Sequence, residues 1–267
     1  MTTGAGGFEL SALEFDVLAE HLGLERLPLV LKVPSPGRTR AERAELVDSA
    51  WRSLSARGLG RASDLDPDLA RMLRLLALPD REVDGRTWFG RSVRVLAARS
   101  GKAAASGQID AAVLVVKDED TLTLRPAATT GLPREAVSVL PQLPAGPGKS
   151  VTLRSADLDA AVAEAGQVRE LGASLRRRGI RGEDAEVLPR MLREAQARGQ
   201  FGAAARNRVN RRTRAAHVVG FFDTPRGRYV QLRRDSPSGD AWSTVAPVDT
   251  RRIIGHLDEL LADITVR

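Results

Sequence analysis

The feature that most constrains the fold is a return. Beyond a Pro/Gly segment at residues 141–148 (PQLPAGPG), the chain runs again through an order of elements it has already shown. Before that segment, Ser11 and Glu14 form a capping box, and Phe15, Leu18 and Leu22 share one face of a short helix that stops near Gly23. Residues 29–33 (LVLKV), a β-rich run between Pro28 and the turn residues 34–37, predict a strand. Thr39 and Glu42 form a second capping box, and Val47, Ala50, Trp51 and Leu54 recur at helical spacing until Gly58. Asp66 then reads as an N-cap with Pro67 at the first helical position, and Leu69, Met72, Leu73 and Leu76 repeat the spacing up to Pro79.

From Glu82 the period becomes two. Val93, Val95 and Ala97 alternate with their neighbours, residues 109–116 are continuously apolar, and Leu122 and Leu124 alternate again. With turns at Gly90-Arg91, 100–107 and 118–120, this predicts an antiparallel meander of about four strands, 109–116 central, followed by a helix from Pro133 to Leu140. After the Pro/Gly segment come a strand at Val151, Thr152 and Leu153 and helical stretches at 157–165, 168–177 and 183–197. Strands follow near Phe201 and at 217–222, 228–232 and 242–246, and Asp249 caps a closing helix that carries Ile253, Ile254, Leu257, Leu260 and Leu261. Both halves therefore read strand, helices, four-stranded meander, helix. The expectation is one α+β domain over residues 1–267 with a central, mostly antiparallel sheet flanked by helices. Its pseudo-two-fold internal repeat comprises halves at about 24–140 and 149–267, joined by the 141–148 linker. Residue identity between the halves is slight, so two unrelated α+β units of similar content remain the alternative.

Composition removes whole classes of function. With 42% hydrophobic and 28% charged residues the chain has the makeup of an ordinary globular protein, which excludes disorder, collagen and coiled coil. Zero cysteine excludes disulfides, thiol catalysis, thiolate metal sites and iron–sulfur clusters, and fits the cytoplasm. Residues 1–8 have no basic and apolar signal pattern, and no run approaches the ~18–20 apolar residues needed to span a bilayer, so neither export nor membrane insertion is expected. Lys and Arg number 41 against 34 Asp and Glu, a formal charge of +7 that permits an acidic protein, a nucleic acid or an anionic surface without choosing among them. Only four of the cations are lysines, Lys32, Lys102, Lys117 and Lys149.

No catalytic constellation emerges. Gly146 to Ser150 ends like a phosphate-binding loop, but Leu143 stands where its first glycine belongs and a strand follows in place of a helix. Gly58-Leu59-Gly60 follows a helix and lacks the third glycine of a dinucleotide turn. Asp64, Asp66 and Asp68 open like a calcium loop, yet Leu69 replaces its essential glycine and Pro67 suits a helix start. His21, His217 and His256 are scattered, and no G-x-S-x-G elbow is present. Neither a cofactor nor a metal is expected.

Two features point to binding. The run from Arg206 to Arg214 (RNRVNRRTR) places five arginines between two expected strands, either as a solvated hairpin loop or as a surface for an anionic partner. No aromatic residue interleaves these charges as a base-stacking platform would require. Trp88-Phe89 precedes the Gly90 turn, and strand alternation turns one ring to the core and leaves the other as a candidate anchor.

The stretches FELSALEFDVLAEHLGLERLPLVLKVPSPGRT (8–39), DLARMLRLLALPDREVD (68–84), FFDTPRGRYVQLRR (221–234) and WSTVAPVD (242–249) together resemble the EspG family, cytosolic chaperones of type VII (ESX) secretion in actinobacteria. The resemblance implies the pseudo-two-fold α/β architecture read above and no enzymatic activity. It also implies a partner: the helical tip of a PPE protein in its PE–PPE heterodimer, kept soluble and secretion-competent. The family's binding surface maps by segment to residues 168–197 and the strand at Phe201. Candidate partner-binding residues are accordingly Leu171, Leu175, Arg176 and Phe201, together with Trp88, Phe89, Arg208, Arg211 and Arg212. An Arg-rich nucleic-acid-binding protein is the competing class, and an unpaired sheet edge allows homodimerisation.

Overall fold

Capping chemistry starts the helices where local spacing places them. The computed structural model describes residues 6–24, 26–101, 110–207, 209–236 and 239–265. Strand β1 (Phe8–Ser11) runs directly into α1 (Ala12–His21), because the Ser11 hydroxyl accepts from the Glu14 amide at 3.2 Å and the Glu14 carboxylate accepts from the Ser11 amide at 2.8 Å. Thr39 and Glu42 make the same reciprocal pair at the start of α2 (Arg40–Ala56). A short ladder of β2 (Gly60–Arg61) and β3 (Asp64–Leu65) precedes α3 (Pro67–Ala77), where Asp66 accepts from the amides of Asp68 and Leu69 at 2.9 and 3.0 Å. The meander follows as β4 (Arg81–Trp88), β5 (Ser92–Ser100), β6 (Ala111–Asp118) and β7 (Thr121–Ala127), and α4 (Leu132–Val137) closes it.

The later part of the chain contains β8 (Val151–Arg154), α5 (Ser155–Ala165), α6 (Val168–Arg177), α7 (Gly182–Leu192), β9 (Ala197–Arg206), β10 (Arg212–Arg214), β11 (Val219–Thr224), β12 (Gly227–Asp235), β13 (Ala241–Pro247) and α8 (Thr250–Thr265). Asp249 caps α8, accepting from the Arg252 amide at 2.8 Å. The fold is α+β, with a large antiparallel sheet flanked by helices.

Two compact units divide the chain. The first comprises residues 1–86, 91–139 and 204–213, and orders its strands β1-β7-β6-β5-β4. Phe15 and Leu18 of α1, Leu54 of α2 and Leu69, Leu73 and Leu76 of α3 bury against Leu96, Val113, Val115 and Leu124 on one sheet face. The second comprises residues 87–90, 140–203 and 214–267, and orders its strands β9-β11-β12-β13-β8. There α5, α6 and α7 bury Leu158, Leu171, Leu175, Leu188 and Met191 against Val151, Leu153, Tyr229 and Val245.

Four expectations change in the structure. Residues 29–33 form no strand: Leu29–Leu31 is a single 3-10 turn closed by Leu31 N–H to Pro28 O at 2.9 Å. Pro28 and Pro34, which flank the segment and have no N–H, keep a ladder from extending past either end, and the amides of Leu31 and Lys32 bond locally to Pro28 O and Leu29 O. The strand that enters the first sheet early in the chain is β1, pairing Phe8 with Leu124 and Leu10 with Leu122; four residues are too few to announce themselves by alternation. Helix α7 stops at Leu192, short of 197, because Glu194 turns to φ 64° and the Gln196 amide bonds Asp223 O on β11 at 2.9 Å. The 141–148 segment is no free linker. Arg228 N–H donates to Pro144 O at 2.9 Å, Gly146 N–H to Arg228 O at 3.0 Å and the Tyr229 hydroxyl to Pro147 O at 3.0 Å, strapping it to the start of β12. Most of the expected 100–107 turn lies outside the described residues.

Candidate partner-binding site

Alternation on the second unit's sheet decides which candidates reach the surface. In register, Phe201 of β9 stands opposite Val219, Val219 opposite Leu232, and Leu232 opposite Thr244, so these side chains share one face. Val245, one residue on from Thr244, points the other way into the core beneath α5, α6 and α7. Phe201 is therefore on the opposite face from Leu171 and Leu175. All three are covered, at 0%, 2% and 0% exposure, and serve as core residues with no surface to offer a partner. The resemblance marked the segment that holds Leu171 and Leu175, and within it their helical spacing is that of a buried stripe.

Helix α6 shows its other side to solvent. Arg176 is exposed there, and Val168 at the start of α6 and Val162 on α5 are large apolar residues left open. Glu164 of α5 organises the end of α6, accepting from the Ser174 hydroxyl at 2.6 Å, from Arg177 Nε at 2.9 Å and from Arg178 at 3.5 Å. The Ser174 hydroxyl and then the Arg177 guanidinium hold the Glu164 carboxyl below the usual carboxylate range. Gly172 lets α7 come close: a Cβ there would lie 2.7 Å from the Ala185 carbonyl oxygen.

Trp88 is the last residue of β4 and Phe89 follows it outside the strand. Trp88 is 44% exposed, whereas Phe89 is half-buried with its ring 6.5 Å from Phe221, which stacks in turn on Phe201 at 5.8 Å. Behind this aromatic row lies Arg228, fully buried, its guanidinium 5.5 Å from the Phe221 ring centre and doubly bonded to Asp223 at 2.6 and 2.8 Å. Its remaining donors reach Thr250 Oγ1 at 2.9 Å and Pro141 O at 3.0 Å, joining the helix cap, the strap and the sheet in one network.

The basic run is a hairpin whose turn lies between β9 and β10. Asn207 shapes that turn, its side-chain oxygen accepting from the amides of Val209 at 3.1 Å and Arg211 at 2.9 Å, while Asn210 takes φ 60°. Arg206 Nη1 donates to Asn210 O at 3.2 Å, and Arg212 is held by the buried carboxylate of Glu82, with Nε at 2.9 Å. Arg211 and Val209 at the turn are exposed, whereas Arg208 lies outside the described residues. The structure thus brings Phe89 and Phe201 together through Phe221, assigns Arg211 and Arg212 to the first unit, and converts Arg212 from a free charge to half of an ion pair. Sequence reasoning missed Glu82 as its partner, and no local pattern links residues 130 positions apart.

Among the described residues no cluster of His, Asp and Glu is arranged to hold a metal ion, and no helix is long and apolar enough to cross a membrane.

Comparison with known proteins places this geometry in a context. The chain is 26% identical over 267 residues to the ESX-1 secretion-associated protein EspG1 of Mycobacterium tuberculosis (strain ATCC 25618 / H37Rv), covering 96% of this chain and 86% of that protein. Its fold matches the Mycobacterium tuberculosis type VII secretion system chaperone EspG5, solved in complex with a PE25–PPE41 dimer. The TM-score is 0.72 at 16% identity, over 97% of this chain and 96% of that one. The sequence profile of the EspG family matches residues 11–259, from the N-cap of α1 into α8 and through both units, and the chain belongs to the EspG family.

Proposed function

We propose that this protein is a chaperone of type VII secretion that binds a PE–PPE-like heterodimer by the helical tip of its PPE-like chain and keeps it soluble and secretion-competent. The observation that carries this reading is the family match, which spans residues 11–259 and so includes the strands and helices that would form the surface. The chain acts by binding and not by catalysis, and it works in the cytosol, where its client is made. The surface we assign is the outer side of α5 and α6, with Val162, Val168 and Arg176, and the exposed ring of Trp88. A mixture of aliphatic, aromatic and Arg groups suits a protruding apolar hairpin, since such groups dominate interface hot spots. Arg211 supplies electrostatic steering toward an acidic tip, while the buried Leu171 and Leu175 hold α6 in place from beneath.

The two-halves reading enters the proposal with a revised start. Apart from the short β2–β3 ladder in the first half and β10 in the second, each half runs strand, helix, two further helices, four strands and helix, and in each the first strand pairs with the last strand of the meander, β1 with β7 and β8 with β13. The first half then begins at Phe8, with residues 29–33 as an insertion before α2.

The test is co-expression with each PE–PPE-like pair of the same genome, followed by size-exclusion chromatography with light scattering. A stable ternary complex with one pair is the expected result. Absence of a complex with every pair overturns the reading.

A further inference from the structure

Beside the 3-10 turn of the first unit, a cavity of about 420 Å³ opens where Leu29, Val33 and Pro34 approach β5 and β6. Its charged lining is Lys32, Arg94, Lys117 and Glu119, three cations against one carboxylate, which leaves a balance of +2. Arg94 and Lys117 stand directly opposite each other in the β5–β6 register. Side chains so placed are about 5 Å apart at their bases, and like charges there repel. They point to the covered face of the sheet, in step with Leu96 and Val115, the next pair along that face and part of the core.

Among the described residues no carboxylate forms an ion pair with Lys32, Arg94 or Lys117. Arg94 Nε donates to Ser92 Oγ at 3.2 Å and Lys117 Nζ to the backbone oxygen of Glu119 at 2.8 Å, both uncharged acceptors. The neighbouring Asp118 is occupied by Arg91, at 2.8 and 3.0 Å. Two of the chain's four lysines meet at this cavity, whereas Lys149 is paired with Glu183 and Asp184 at 2.8 and 3.0 Å. A like-charge cross-strand pair, joined by a third cation around a cavity, is the arrangement of an anion site.

We propose that this cavity binds the phosphate of an organic phosphate monoester. A phosphate monoester carries about −1.5 to −2 at neutral pH and matches the local excess, where a single carboxylate would neutralise half of it. Ammonium groups suit phosphate as point charges, and Arg94 adds directional donors. The apolar wall of Val33, Pro34 and the exposed Leu29 receives the organic part of the ligand. This site is independent of the client-binding reading.

The experiment is isothermal titration calorimetry on the full chain, with phenyl phosphate and inorganic phosphate as probes at constant ionic strength. Saturable 1:1 binding is expected, tighter for phenyl phosphate than for inorganic phosphate, and roughly tenfold or more weaker in Lys117→Gln and in Arg94→Gln. Arg211→Gln, on the hairpin, retains the wild-type affinity. Lys117→Glu separates binding from folding: it turns the repelling pair into an attracting one, so its thermal midpoint equals or exceeds that of the wild type while phosphate binding is lost. No saturable binding, or affinity unchanged in Lys117→Glu, overturns the proposal. Equal affinity for the two probes overturns the assignment to an organic phosphate.

Discussion

The guanidinium of Arg212 rests on the carboxylate of Glu82, whose side chain is 4% exposed on β4 and which stands 130 positions earlier in the chain. The adjacent Arg211 makes no such pair and is exposed. Two neighbouring arginines in one basic run thus have different physics. Arg212→Ala leaves a buried carboxylate without its cation and is expected to cost about 1–3 kcal/mol in urea unfolding. Arg211→Ala is expected to stay within about 0.5 kcal/mol of wild type. Equal losses at the two positions would mean that Glu82 is satisfied without Arg212.

Two glycines of the second unit give effects of opposite sign. A Cβ on Gly146 would lie 2.2 Å from Cζ of Tyr229, so Gly146→Ala must push the strap off β12. The expected loss is about 1–3 kcal/mol, as for an overpacked core. Gly255, within α8, has nothing within 4 Å of its added Cβ, and Gly255→Ala should gain about 0.5–1 kcal/mol from helix propensity. Thermal melts of the two variants, read against wild type, check both signs.

Acid should weaken the first unit through Glu14. Burial pushes its carboxyl up, but the Ser11 amide, the Ser53 hydroxyl and the Arg57 guanidinium outweigh that and hold it below the ordinary 4.5. A carboxyl depressed in the folded state contributes stability that is fully present above the unfolded pKa and is lost as pH falls through the folded one. The loss from this group is therefore expected below about pH 4.5 and not in the neutral range. Glu14→Gln should be less stable than wild type at neutral pH, and the gap should narrow in acid. A constant gap from neutral to strongly acidic pH would show that the charge of Glu14 is not what matters.

Surface and core substitutions should separate client binding from stability. Trp88→Ala and Arg176→Glu, both at exposed positions, are expected to weaken the proposed complex with a PE–PPE-like client with little change in melting temperature. Leu171→Ala, at a position 2% exposed, should cost about 2–5 kcal/mol and reduce complex formation only by reducing the folded population. Binding that survives both Trp88→Ala and Arg176→Glu would move the surface elsewhere.

What the sequence determined by itself is what contacts within a few residues decide. The capping boxes at Ser11 and Thr39, the Asp66-Pro67 start and the Asp249 cap all close within three positions, and their helices begin where the spacing says. The period-two runs likewise announce most of the two meanders, since alternation is a local consequence of the pleat.

Everything that depends on distant partners waited for the tertiary structure. Strand β1 exists because β7 offers it a ladder, and the LVLKV run curls into a turn although its residues favour strands. Residues 141–148 read as a linker until Arg228 and Tyr229 bind them. Leu171, Leu175 and Phe201 looked available for a partner because a resemblance carried over by segment does not say which side chains of the segment the fold covers. Arg212 looked like one charge among five, and Arg94 and Lys117 like ordinary strand residues, until pairing set the first on Glu82 and the other two against each other. The physical reason is common to all of them. Sequence carries each residue's own propensity and charge, whereas burial and ion pairing are properties of two residues brought together by the fold.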